Sequence, residues 1–122
     1  MAVYHKELNF PLKDVSRLTV LCSFFNQKKF IWNYHAKQRL IERVNDLKYF
    51  YNWLNSLSID IDNIIEYTII ENDIEKVLFR FQYDRERDIC LSIGKPGNII
   101  TLYFNRAGDN HKTLNKRKYN NE

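Results

Sequence analysis

The sequence has few of the residues that interrupt regular structure, with three glycines and two prolines among 122 residues. Because turns and irregular loops depend on these residues, their scarcity predicts that most of the chain lies in helices and strands. The two cysteines, Cys22 and Cys90, stand apart, so there is neither a disulfide framework nor a Cys-x-x-Cys metal or redox motif. Both have apolar neighbours, and we interpret them as small buried hydrophobic residues.

Long apolar runs are also missing. No stretch approaches the roughly 18 apolar residues of a membrane span, and the N-terminus lacks the apolar run of a signal peptide. We therefore expect a cytoplasmic protein with no membrane partner. The hydrophobic fraction of 44% and the aromatic fraction of 15% are typical of a folded globular protein and argue against disorder.

Helical spacing is confined to the first half of the chain. Apolar residues from Leu12 to Phe25 recur at three- and four-residue steps, which predicts an amphipathic helix capped at or just before Asp14. Asn33 is a suitable cap for a second helix of about five turns, for which the spacing continues to Leu54. Because the apolar face of this helix is wider than one stripe, a break into two helices near Asn45-Asp46 is an alternative.

The second half of the chain is typical of β-structure. Strands are predicted near 66–70, 77–83, 89–93 and 98–104, with turn residues between them. The predicted fold class is α+β, with N-terminal helices packed on a four-stranded antiparallel sheet, a meander. We expect a single domain over 1–122, made of a polar lead-in (1–11), a helical region (12–57), the β-meander (64–106) and a basic tail (107–122).

The charge is unevenly distributed along the chain. Its net value is +4, and five Lys or Arg residues against the single acid Asp109 lie between Arg106 and Tyr119. This arrangement predicts a surface that faces a polyanion. A solvated tail explains the charge alone equally well.

One candidate site lies at the start of the second helix. Steps of four place His35, Arg39 and Arg43 on neighbouring turns of one face. Backbone N–H groups and the helix dipole favour an anion there, so a phosphate could meet an imidazole and two guanidinium groups. The alternative is a solvated basic face with Glu42 as an internal partner.

The last strand and the segment after it form the other candidate site. Thr101, Tyr103 and Asn105 share one face of the strand, while Ile100, Leu102 and Phe104 are expected to pack on the helices. Arg80 and Gln82 of the second predicted strand would join the polar set on an exposed concave face. The loop adds further candidate substrate ligands and acid-base groups: Asp109, His111, Lys112, Thr113, Lys116 and Tyr119.

The chemistry of these residues suits RNA cleavage without a metal ion. The three histidines lack ligand spacing, and no Gly-rich phosphate loop or nucleophile elbow is present, so we expect neither a metal nor a cofactor. Cleavage needs a base for the 2′-OH proton, an acid for the leaving 5′-oxygen and cations near phosphorus. Histidine can transfer either proton near neutral pH.

Two short motifs carry a family resemblance over about residues 30–119. His35-Ala-Lys-Gln-Arg39 at a helix start, with the strand Ile99-Ile100-Thr101-Leu102-Tyr103 and the loop Asp109-Asn110-His111-x-Thr113, resembles the small toxin-type ribonucleases of the barnase-, colicin- and RelE-like fold. The resemblance implies His35 or His111 as an acid or base group and Arg39, Lys112 or Thr113 as phosphate contacts. We also expect an inhibitor or antitoxin protein as a partner. The chain has no obvious acidic general base, so the two proton-transfer roles stay unassigned.

Two other functions remain open. The stock of eight Tyr, eight Phe and two Trp suits a phage or mobile-element protein that binds a host protein without catalysis, because Tyr and Trp favour interfaces. The basic end also suits simple nucleic-acid binding. The first hypothesis is a metal-independent endoribonuclease with RNA as its partner, and the sequence predicts no oligomeric state.

Overall fold

A computed structural model describes residues 2–6, 10–95 and 97–108. The regular elements, in chain order, are β1 (Ala2–Lys6), α1 (Leu12–Phe25), β2 (Ile31–Trp32), α2 (Tyr34–Arg43), α3 (Leu47–Ser56), a 3₁₀ turn (Ile61–Asn63), β3 (Ile64–Ile70), β4 (Asp73–Gln82), β5 (Arg87–Gly94) and β6 (Asn98–Arg106). The α+β class predicted from the sequence is confirmed. No helix in the described part of the chain is long and apolar enough to cross a membrane.

Helix α1 has the bounds that its apolar spacing predicts. Of the two positions predicted for its cap, near Asp14 or just before it, the structure has the second: Pro11 is the N-cap, and no side chain makes a capping hydrogen bond. The carboxylate of Asp14 is instead buried, where it accepts from the Tyr67 hydroxyl at 2.9 Å and from Arg17 Nη1 at 3.0 Å. These partners offset the cost of burying a charge and tie the helix to the sheet.

The second predicted helix is two helices, separated at the predicted break. The Asn33 side chain accepts from the backbone N–H of Ala36 at 2.8 Å, which confirms the cap of α2. Asp46 caps α3 in the same way by accepting from the N–H of Tyr49 at 3.0 Å. Because an aspartate side chain competes for nearby backbone N–H groups, it restarts a helix here rather than continuing one.

The sheet has six strands in the order β1-β3-β4-β5-β6-β2. Strands β3 to β6 pair antiparallel with their chain neighbours, as a meander does. The predicted four-stranded antiparallel sheet is nevertheless wrong, since β1 adds to the edge of β3 and β2 pairs parallel with β6. Both added strands are short, and β1 comes from the segment interpreted as a polar lead-in.

The β3–β4 connection shows why this part of the chain folds as a hairpin. Ile70 pairs with Asp73, so the turn has two residues, Glu71 and Asn72, with φ of 51° and 65°. Two consecutive residues with positive φ match the twist of the flanking strands, and asparagine tolerates that conformation better than most residues. The predicted turn is therefore confirmed.

The three helices bury their apolar residues against one face of the sheet, which we call the helix face. Helix residues and strand residues belong to one cluster of buried side chains. On β4 to β6 the cluster includes Val77, Phe79, Phe81, Ile89, Leu91, Ile93, Ile99 and Leu102, and Tyr83 joins it just after β4. The alternate residues of these strands point to the other side.

Candidate nucleic-acid interface

The side of the sheet opposite the helix face is rich in polar groups, and we call it the polar face. Its central row consists of Arg80 on β4, Cys90 on β5 and Tyr103 on β6, which are direct neighbours in the strand register. Gln82, Asp88 and Asn105 form the next row, and Leu78, Ser92 and Thr101 the row before. The structure thus brings together Arg80, Gln82, Thr101, Tyr103 and Asn105, as the sequence predicts.

Arg80 is held in place by two acceptors. Its Nε donates to Asp88 Oδ2 at 2.9 Å, and its Nη2 donates to the backbone carbonyl of Arg106 at 3.1 Å. A guanidinium group has five N–H donors, so three remain, and they have no acceptor among the described residues. The side chain is 14% exposed. Arg80 is therefore fixed in orientation, with three donors that no described residue accepts.

Cys90 accepts a hydrogen bond from β6. Asn105 Nδ2 donates to its sulfur at 3.4 Å, and Tyr103 is its direct partner in the strand register. Burial raises the pKa of the Cys90 thiol to about 11, and it also raises the pKa of the Tyr103 phenol. Both groups are protonated at neutral pH, so Cys90 is a poor nucleophile and Tyr103 keeps its proton as a donor.

Asn105 departs from its expected position on an exposed surface. It is only 8% exposed, because its amide is engaged with Cys90 in the interior of the polar face. Tyr103 is half-buried, and Thr101 is exposed. The accessible polar groups of β6 therefore lie nearer its start than predicted.

A β-bulge changes the predicted packing of β6. The register shifts between the pairs Ser92–Thr101 and Ile93–Ile99, so Ile100 has no direct partner. Ile99 joins the core in its place, and Ile100 lies beside Gly94, where an added Cβ would come within 3.1 Å of its Cδ1. Leu102 and Phe104 pack on the helix side as expected.

The predicted cluster on α2 lies away from the polar face. His35 is exposed in the first turn of the helix, and Arg39 Nη1 donates to Glu42 Oε2 at 3.0 Å, which is the internal pairing considered from the sequence. Arg43 Nη1 donates to the Leu102 carbonyl at 2.8 Å. Within the described residues, no hydrogen bond or ion pair joins His35 or Arg39 to the polar face.

Arg43 has a structural partner that the sequence does not reveal. Strand β2 pairs with only Asn98 and Ile99, so the rest of the outer edge of β6 has no strand beside it in the described structure. The guanidinium group of Arg43 covers part of this edge by binding the Leu102 carbonyl. Such cover protects an edge strand from pairing with other chains.

Six of the predicted site residues lie outside the described residues: Asp109, His111, Lys112, Thr113, Lys116 and Tyr119. An approach of His111 to His35 therefore stays a prediction. In the part of the chain that the structure describes, no three or more His, Cys, Asp or Glu side chains are grouped as a metal site would require.

Sequence reasoning missed the residues of β5 that position this site. Asp88 orients Arg80 and Cys90 orients Asn105, yet residues 89–93 were predicted only as a strand, with no part in the site. The signal is the alternation of Asp88, Cys90 and Ser92 with Ile89, Leu91 and Ile93.

Comparisons with protein-family models, curated proteins and solved structures find no match to this chain. Its function is therefore argued from its own residues.

Proposed function

We propose that this protein binds RNA across the polar face and cleaves it without a metal ion. The observation that carries the proposal is Arg80, oriented by Asp88 and the Arg106 carbonyl and left with three donors. Guanidinium groups bind phosphate through paired hydrogen bonds, and a fixed orientation lowers the entropic cost of binding. Tyr103 lies two strands away in the same row, where its ring offers a surface for a base.

The surroundings of Arg80 support single-stranded RNA as the ligand. Sheet surfaces that carry aromatic and polar side chains recognise unpaired bases, whereas duplex RNA hides its base edges. Thr101 and Gln82 are exposed on the same face and can donate to or accept from a base or a 2′-OH. Beyond Arg106 the chain continues into its basic segment, which adds positive charge for a polyanion.

The proposed reaction is a transphosphorylation. The 2′-oxygen attacks phosphorus as a base removes its proton, and the bond from phosphorus to the 5′-oxygen breaks as an acid protonates that oxygen. The products are a 2′,3′-cyclic phosphate and a 5′-hydroxyl. His111 is the candidate for one of the two proton transfers and Thr113 for stabilising the charge on phosphorus, and the second proton-transfer group is unassigned. His35 and Arg39, the other candidates from the sequence, lie on α2 away from the polar face and have no role at a phosphate bound there.

The test is cleavage of a labelled single-stranded RNA by the full chain in excess EDTA. We expect fragments with 2′,3′-cyclic phosphate ends, loss of cleavage in His111→Ala, and weaker RNA binding in Arg80→Ala. Lys48→Ala is the matched control, because it removes an exposed positive charge from α3, away from the polar face. RNA that stays intact at every pH from about 5 to about 9, where histidine titrates, would contradict the enzyme.

A second function is favoured by a different surface. Ile31 on β2 is 55% exposed, and Tyr34 and Ile41, about two turns apart on α2, are 72% and 63% exposed. Exposed large apolar residues grouped on one side suit a protein partner. If Tyr34→Ser with Ile41→Ser abolishes capture of a host protein while His111→Ala does not, binding rather than catalysis is the function.

A further inference from the structure

Three arginines line one cleft at the end of β6. Arg85, Arg87 and Arg106, with Glu86 and Ala107, surround a space of about 520 Å³. The Ala107 N–H donates to the Glu86 carbonyl at 2.8 Å, which holds the β4–β5 turn against the end of β6. The cleft is therefore built from two segments that are joined by the backbone.

Two of these arginines lie opposite each other on neighbouring strands. Arg87 and Arg106 are direct partners in the β5–β6 register. Like charges in directly opposed positions destabilise an antiparallel pair. Within the described residues, neither Arg85 nor Arg106 forms an ion pair. An anion between the strands would remove this repulsion.

Arg87 is also oriented before any ligand binds. Its Nε and Nη2 donate to Asp84 Oδ2 at 3.1 and 2.9 Å, and its guanidinium carbon lies 4.5 Å from the centre of the Phe104 ring. Asp84 is thereby committed to Arg87, and Glu86 is the acidic side chain that lines the cleft. Three guanidinium groups against two carboxylates leave the region positive.

We propose that this cleft binds a phosphate group of the RNA backbone. The proposal rests on the proposed function and extends it. Arg87 packs on Phe104, and alternation puts its side chain and that of Arg106 on the helix side at the end of the sheet. The polar face and the cleft therefore share only the Arg106 backbone, whose carbonyl accepts from Arg80. An RNA strand on the polar face would pass over the end of β6 to bring a further phosphate to the cleft. The cleft then acts as a second phosphate subsite, separate from the groups that transfer protons.

The experiment measures binding of inorganic pyrophosphate and of a 2′-O-methyl oligoribonucleotide to the full chain. The methyl group removes the nucleophile, so binding is measured without cleavage. We expect Arg106→Ala to lower the affinity for both ligands by roughly tenfold, which is the effect of losing one charged hydrogen bond. It should also lower the slope of log K against log salt by about one. Lys48→Ala should leave the affinity within about twofold of wild type.

Arg106→Glu separates a binding role from a structural one. The new carboxylate lies opposite Arg87 and replaces a repulsive pair of charges by an attractive one. The urea midpoint should therefore rise or stay unchanged, while the binding of both ligands is lost. Equal binding by Arg106→Glu and wild type would overturn the proposal. A lower urea midpoint that accompanies the loss of binding would also overturn it, because the arginine would then be structural.

The outcomes distinguish this subsite from the proposed function. If pyrophosphate binding depends on Arg106 but the wild type does not cleave RNA, the phosphate subsite is supported and the proposed ribonuclease activity is contradicted. If the double variant Arg85→Ala/Arg106→Ala cleaves RNA with the KM of the wild type, the proposed ribonuclease activity is supported and the proposal that the cleft binds phosphate is overturned.

Discussion

The two faces of the sheet differ in what holds them together. On the helix face, Phe79 and Leu91 are fully buried among apolar side chains, and burial alone accounts for their positions. On the polar face, Arg80 and Asn105 need specific partners, because a buried polar group without a hydrogen bond is destabilising. Donors that remain on such a group therefore point to a ligand on the polar face, and no equivalent argument applies to the helix face.

The largest effect is expected on the helix face. Phe79→Ala removes a ring that stacks on Phe81 at 5.6 Å and meets Phe25 edge-on at 5.9 Å, and it leaves a cavity behind. We expect a loss of about 3–5 kcal/mol in the free energy of unfolding, measured by urea denaturation. Phe79→Leu should lose less, because it fills part of the space. A loss below about 1 kcal/mol for Phe79→Ala would mean that the two faces do not differ as described.

A smaller effect is expected on the polar face, where a pair of charges can be tested directly. Arg80→Ala and Asp88→Ala each remove one member of an ion pair whose side chains are 14% and 20% exposed. We expect each to lose about 1–2 kcal/mol of stability, and the double variant to lose less than the sum, since the second change finds the pair already broken.

The two single variants also sharpen the distinction between structure and function. If Arg80 serves RNA, Asp88→Ala should keep most of the RNA affinity while Arg80→Ala loses it, although both break the same ion pair. Equal loss of affinity in the two single variants would instead show that the pair supports the fold.

Local patterns in the sequence predicted the helices well. The bounds of α1, the cap at Asn33 and the break before α3 follow from spacing and from side chains that bind nearby N–H groups, and both causes act within a few residues. The strand β1 was missed because its pairing partner is β3, more than fifty residues away in the chain. Long-range pairing of this kind leaves no local signal.

The same limit explains what was missed at the candidate site. Alternation correctly grouped Tyr103 with Arg80, but the residues between the strands predicted at 77–83 and 89–93 were interpreted only as a turn. That Arg87 faces Arg106 follows from the register of β5 with β6, and the bulge at Ile100 shifts part of that register. Pairing at this level is set by the whole sheet, so the arginine cleft could be found only in the structure.

The smallest effect concerns pH, at the turn between β4 and β5. Hydrogen bonds from Arg87 hold the pKa of Asp84 below its usual value. A depressed carboxyl pKa contributes stability that is present above the unfolded-state pKa, about 3.9, and is lost as the pH falls through the lower folded value. Asp84 is partly exposed, so solvent screens the pair and the contribution is small.

Asp84→Asn removes this contribution, so its urea midpoint should lie below that of the wild type near neutral pH. The gap should close as the pH falls below about 4, because the wild-type carboxyl is then protonated as well. A hydrogen bond from Lys95 also lowers the pKa of Asp73. Because Asp73 is present in both proteins, its contribution cancels in the difference between their urea midpoints. The deficit of Phe79→Ala should instead stay constant across the same range, since no titrating group is removed from the helix face. Parallel wild-type and Asp84→Asn curves down to about pH 3 would show that Arg87 is held by Phe104 rather than by Asp84.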